Sequence, residues 1–113
     1  MIKATFFRSV DGSIETFHLT GHADFAEHGK DLVCAGASAV VFGSINAILA
    51  LTKIEPKKLD LGPDGGYLNF ELPDHLDGKV QNKVQILLEG MLVSLQTIEA
   101  DYGEHIQVIQ NHL

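Results

Sequence analysis

Residues 21–38, GHADFAEHGKDLVCAGAS, hold the chain's one cysteine and two of its six histidines. A thiolate attacks carbonyl carbon readily at neutral pH, provided a base and proton donor stands within hydrogen-bond reach. Cys34 is therefore the candidate nucleophile. His22 is the candidate base, because it follows Gly21 at the end of an expected strand, where a rigid element can hold its imidazole. His28 falls in the middle of an expected loop and reads as solvated. His18 lies inside an expected strand. His75, His105 and His112 fall near turns or the C-terminal end, where no other reactive group converges.

The segment after the loop predicts a helix with Cys34 at its N-terminus, where unpaired N–H groups and the positive end of the dipole stabilise a thiolate. The backbone N–H groups of Ala35 and Gly36 then become candidates for an oxyanion hole, and Gly36 leaves room for a substrate backbone. The competing reading is structural: cysteine is among the most buried residue types, and Cys34 would merely open a core helix. Asp31 has two readings, one that orients His22 or orders the loop, another that caps the helix or stands in solvent. Ser38, one turn beyond Cys34, can touch substrate or thiol, or can be a small packing residue. His22, Asp24, Glu27, His28, Asp31 and Cys34 offer zinc-ligand types, but their spacing matches no compact structural site, so no metal and no cofactor is expected. Thiol–disulfide exchange lacks a resolving cysteine.

The elements that must position these groups follow from periodicity. Residues 2–7 and 14–19 are β-rich, and VDGS between them carries an Asp-Gly hairpin signal. Residues 21–33, with Gly29 and the charged Asp24, Glu27, Lys30 and Asp31, predict a mobile loop. Residues 32–51 carry no charge. A transmembrane helix is the alternative here, set aside because small and polar residues dilute the segment and neither flank carries a basic cluster or aromatic belt. The expectation is a helix apolar nearly all round, buried on several sides. Residues 57–72 predict a second hairpin, with Leu68, Phe70 and Leu72 alternating against Tyr67, Asn69 and Glu71. Val80, Val84, Leu87, Leu88, Met91, Leu95, Ile98 and Tyr102 recur at helical steps, with Asp77 as cap and Gly103 as stop. A short strand at 105–109 closes the chain. The order ββ-α-ββ-α-β predicts one α+β domain over residues 1–113, an antiparallel or mixed sheet with two packed helices.

The formal net charge is −7 with pI near 5.1. That argues against a nucleic-acid binder, which needs a basic surface to track phosphates, and suits a basic protein partner. A lone cysteine and the lack of an N-terminal apolar leader point to the cytoplasm.

GHA, a short loop, then GKDLVCAGASA resembles the bacterial ribosomal-processing cysteine protease family. Gly21, His22, Ala23, Gly29, Asp31, Leu32, Val33, Cys34, Ala35 and Ser38 carry the motif. The likeness extends to the element order and to MLVSLQTIEADY, and so covers nearly the whole chain. It implies a homodimeric endopeptidase that removes the N-terminal extension of a large-subunit ribosomal protein, number twenty-seven, cutting after a Phe-containing motif. By the same resemblance Cys34 is the nucleophile and His22 the general base and acid. The alternative is a non-enzymatic dimeric module that binds ribosomal components, with Cys34 simply buried.

Overall fold

The structure, a computed structural model, describes residues 1–21, 28–63 and 66–113, with residues 28–31 described as backbone only. His22, the interior of the expected loop and the Asp64-Gly65 turn pair lie outside the described residues. The elements run β1 (Ile2–Arg8), β2 (Ile14–Thr20), α1 (His28–Thr52), β3 (Lys58–Asp60), β4 (Tyr67–Glu71), α2 (Gly78–Tyr102) and β5 (Ile106–His112). This is an α+β fold with a mixed sheet in the order β3-β4-β2-β1-β5. Among the described residues only β5 runs parallel to its neighbour, with Ile2 opposite Ile106 and Arg8 opposite His112.

Strand alternation sorts the sheet into two faces. Ile2, Ala4, Phe6, Phe17, Leu19, Leu68, Phe70 and Ile106 are buried on one face, and both helices pack there in a single core. Phe6 and Phe17 are register partners whose rings meet at 4.8 Å. The register slips between Phe7 and Arg8, so that Glu15 is extra on β2 and Ile14 still turns inward. Such a bulge adds one residue without moving the rest of the strand to the wrong face.

The first hairpin closes as its sequence predicts. Asp11 accepts hydrogen bonds from the Ser9 hydroxyl and from the Ser13 N–H and hydroxyl, and Gly12 takes the positive φ of +90°. These donors hold the Asp11 carboxyl down at about 2. At the foot of this hairpin Arg8 forks onto Glu89 of α2, at 2.6 and 2.8 Å, and also donates to the Gly12 carbonyl and the Gln110 side chain. One guanidinium thus ties β1, the turn, α2 and β5.

Helix α2 begins as expected: Asp77 caps it through the Lys79 N–H. Val84, Leu88, Met91, Leu92 and Leu95 form its buried stripe. Tyr102, expected on that stripe, is exposed. Gly103 ends the helix in an ordinary right-handed conformation, φ −60°, not the left-handed one that favours glycine.

Helix α1 departs from expectation in two ways. It starts at His28, inside the stretch read as loop, so Cys34 stands nearly two turns in. Among its described side chains it is also buried along one stripe only, Val33, Ala37, Val41, Ile45 and Ile48. Leu32, Phe42 and Leu51 are 54%, 41% and 69% exposed. The stripe is narrow because sheet and α2 reach only one side; the expectation of burial on several sides fails within one chain. A second exception is Asn69, which belongs to the outer face by alternation yet is only 7% exposed. Its Oδ1 has no hydrogen-bond partner among the described residues.

Candidate active site

Helical spacing places Cys34, Ser38 and Phe42 one turn apart along α1, on the side facing the ends of β1, β2 and β4. These side chains, with Ala37, form one wall of a cavity of about 310 Å³. Ile2, Leu19 and Leu68 form its floor from the sheet, and Gly21 stands at its edge. Leu61, Gly62, Gly66 and Tyr67, from the β3–β4 connection, close the far side. The result is a half-buried Cys34 packed against the core and lining a mainly apolar recess, with Ser38 on the same wall.

Glycines shape two corners of this recess. Gly21 has φ +87°, and a Cβ there would collide with the Met1 carbonyl oxygen. Only glycine fits on both counts, and it is the residue from which the chain leaves β2 toward His22. Gly62, at φ +68°, lies so close to Tyr67 that a Cβ would stand 3.2 Å from that ring.

Of the residues singled out in the sequence, the structure brings Cys34, Ser38 and Gly21 together. His22 and the Asp31 side chain lie outside the described residues. Ala35 and Gly36 are placed differently from expectation. With α1 starting at His28, their N–H groups belong to the interior ladder of the helix rather than to its unpaired first turn. Cys34 likewise stands in the second turn of α1 rather than at its N-terminus. A Cβ on Gly36 would stand 3.7 Å from Ile98, an ordinary contact, so the approach of α2 does not by itself require glycine there. The wall built by Leu61, Gly62, Gly66 and Tyr67 has no expectation behind it, because PDGG signals only a turn in the sequence.

Among the described residues no group of three His, Cys, Asp or Glu side chains could hold a metal ion. The chemistry on offer is that of a thiol beside an apolar binding recess.

Comparison with known proteins agrees with that chemistry. The model of the family described as cysteine protease Prp matches residues 1–107. The ribosomal processing cysteine protease Prp of Bacillus subtilis is 56% identical over 111 residues, covering 98% of each chain. A crystal structure of the ribosomal processing protease Prp from S. aureus, in complex with a substrate peptide, superposes with a TM-score of 0.86 at 39% identity. It covers 98% of this chain and 100% of that one. A second structure of the S. aureus enzyme, with a covalently linked product peptide, gives 0.84 at 40% identity over the same shares. These likenesses decide between enzyme and binding module in favour of the enzyme. With a thiol on the wall of an apolar recess, and matched nearly end to end by the family model and by a relative at 56% identity, this protein belongs to the cysteine protease Prp family of ribosomal-processing enzymes.

Proposed function

We propose that this cysteine protease removes the N-terminal extension from the precursor of a basic large-subunit ribosomal protein, number twenty-seven, using His22 and Cys34. The observation that carries the reading is the position of Cys34 on the wall of the apolar recess. A substrate side chain seated there brings its own carbonyl to the thiol, and the recess suits an aromatic one. The covalently linked product peptide of the S. aureus relative supports nucleophilic catalysis.

In this mechanism His22 takes the Cys34 proton as the sulfur attacks the scissile carbonyl carbon. The tetrahedral adduct collapses, the C–N bond breaks, and His22 returns the proton to the departing amine of the mature protein. The extension remains as a thioester on Cys34. Water, deprotonated by His22, attacks that thioester and releases the extension with a free carboxylate, restoring the thiol. Asp31 orients the imidazole, Gly21 sets the direction in which the chain reaches His22, and Ser38 contacts the bound peptide.

The working unit is a homodimer joined through the exposed apolar side of α1, acting in the cytoplasm without metal or cofactor and without direct contact to nucleic acid or membrane. Incubating the protein with the precursor and reading the product by mass spectrometry tests the function. A single truncation after an aromatic residue is expected, and an intact precursor would overturn the reading.

A further inference from the structure

Large apolar side chains left singly in solvent are ordinary on a protein surface. Three that converge on one recess are not. Phe42, Leu61 and Tyr67 are all exposed, and all three line the cavity that Cys34 borders. They come from α1, from the β3–β4 connection and from the first residue of β4, so the fold gathers them from separate elements. The chain leaves them in solvent, and a substrate side chain entering the recess would bury them.

Tyr67 is held from two sides. On one it pairs with Thr20, at the end of the β2–β4 ladder and one residue before the turn at Gly21. Leu68 points toward the helices and lies in the floor of the recess, so alternation leaves Tyr67 to border it from the rim. On the other side stands the backbone of Gly62. A Cβ built there would lie 3.2 Å from the Tyr67 Cβ and Cδ1 and 3.5 Å from its Cγ. A ring fixed in this way before substrate arrives loses little side-chain freedom on binding. Aromatic rings also gain free energy from one another beyond the area they bury, and an aliphatic side chain forgoes that gain.

We infer that Tyr67 is a specificity-determining residue, whose ring selects an aromatic over an aliphatic side chain at the substrate residue whose carbonyl the thiol attacks. This rests on the proposed protease function and adds to it the group that discriminates. The α1 wall carries the nucleophile, and the far wall reads the side chain.

The test measures kcat/KM on two precursors that differ only in the residue before the scissile bond, phenylalanine in one and leucine in the other. The ratio of the two values does not depend on how much of the enzyme is folded, so a partly unfolded variant still reports. Wild type should prefer phenylalanine. In Tyr67→Leu, which keeps an apolar side chain and removes the ring, that preference should fall about two- to tenfold. Tyr67→Phe, which keeps the ring and removes the hydroxyl, should retain it. A wild type that cleaves both precursors equally would overturn the role of the ring. So would a preference unchanged in Tyr67→Leu, a preference lost in Tyr67→Phe, or a Tyr67→Leu variant that cleaves neither precursor. In all of these the wild type still cleaves, and the protease reading stands. A wild type that cleaves neither precursor would instead remove the proposed function and this inference with it.

Discussion

The carbonyl of Met1 occupies the space where a side chain on Gly21 would begin. The first residue of the chain thereby fixes the backbone one residue before His22, at a positive φ that other residues adopt only under strain. Gly21→Ala should cost about 2–4 kcal/mol of stability, combining the φ penalty with displacement of backbone. Urea titration would read this as a lower midpoint at unchanged slope. Loss of precursor cleavage should persist at temperatures where the variant is fully folded.

Cys34→Ser and His22→Ala should each abolish cleavage while leaving circular dichroism and melting unchanged. A serine hydroxyl is far less acidic than a thiol, and a histidine paired with cysteine activates it poorly. Full-rate cleavage by folded Cys34→Ser would sink the assignment of the nucleophile.

The open side of α1 predicts the oligomeric state. Leu51, at 69% exposure, is remote from the cavity-lining end of the helix. Light scattering at low micromolar concentration should return twice the chain mass for wild type and a single mass for Leu51→Lys. Within one chain an exposed substitution changes stability by less than about 0.5 kcal/mol, so dissociation is attributable to the interface. A monomeric wild type would refute the dimer.

The Arg8–Glu89 fork gives a pH prediction. Its hydrogen bonds hold the Glu89 carboxyl below the ordinary value of 4.5. A lowered folded pKa means stabilisation that is complete above the unfolded value and is lost as pH falls through the folded one. The Glu89 side chain is 44% exposed, so solvent screens much of the interaction. Glu89→Gln should therefore cost about 1 kcal/mol at pH 7. Melting temperatures of variant and wild type should converge as pH drops below 4.5. A gap that stays constant to pH 2 would contradict this account.

Much of this architecture is legible along the chain because its signals are local. The β-rich make-up of residues 2–7 and 14–19, the Asp11-Gly12 turn and the 3.6-residue stripe of α2 each carry their own signal. The partner of β5 does not, since nothing in IQVIQNH distinguishes pairing with β1 from pairing with the edge at β3. The start of α1 was hidden by Gly29 and the charges around it, which resemble a loop in any short window. Alternation puts Asn69 on the solvent side, and its low exposure is not visible in the sequence because its register partners His18 and Asp60 come from other strands. At the site, Cys34 and Ser38 were visible through type and spacing. The wall of Leu61, Gly62, Gly66 and Tyr67 was not, because it joins the recess only after β4 pairs with β2.

The parallel pairing of β1 with β5 also sets a schedule. Ile2 and Ile106 are register partners at opposite ends of the sequence, so β1 acquires its second neighbour only after almost all of the chain has been synthesised. Contacts this distant in sequence close slowly, after local hairpins and helices have formed. The floor of the thiol's recess includes Ile2, whose N–H donates to the His105 carbonyl at the entry to β5. A nascent chain still lacking residues 105–112 can have its helix and its cysteine, but not the completed strand beneath them. An enzyme that serves the ribosome is thus kept from finishing its own binding floor until translation has delivered its final strand.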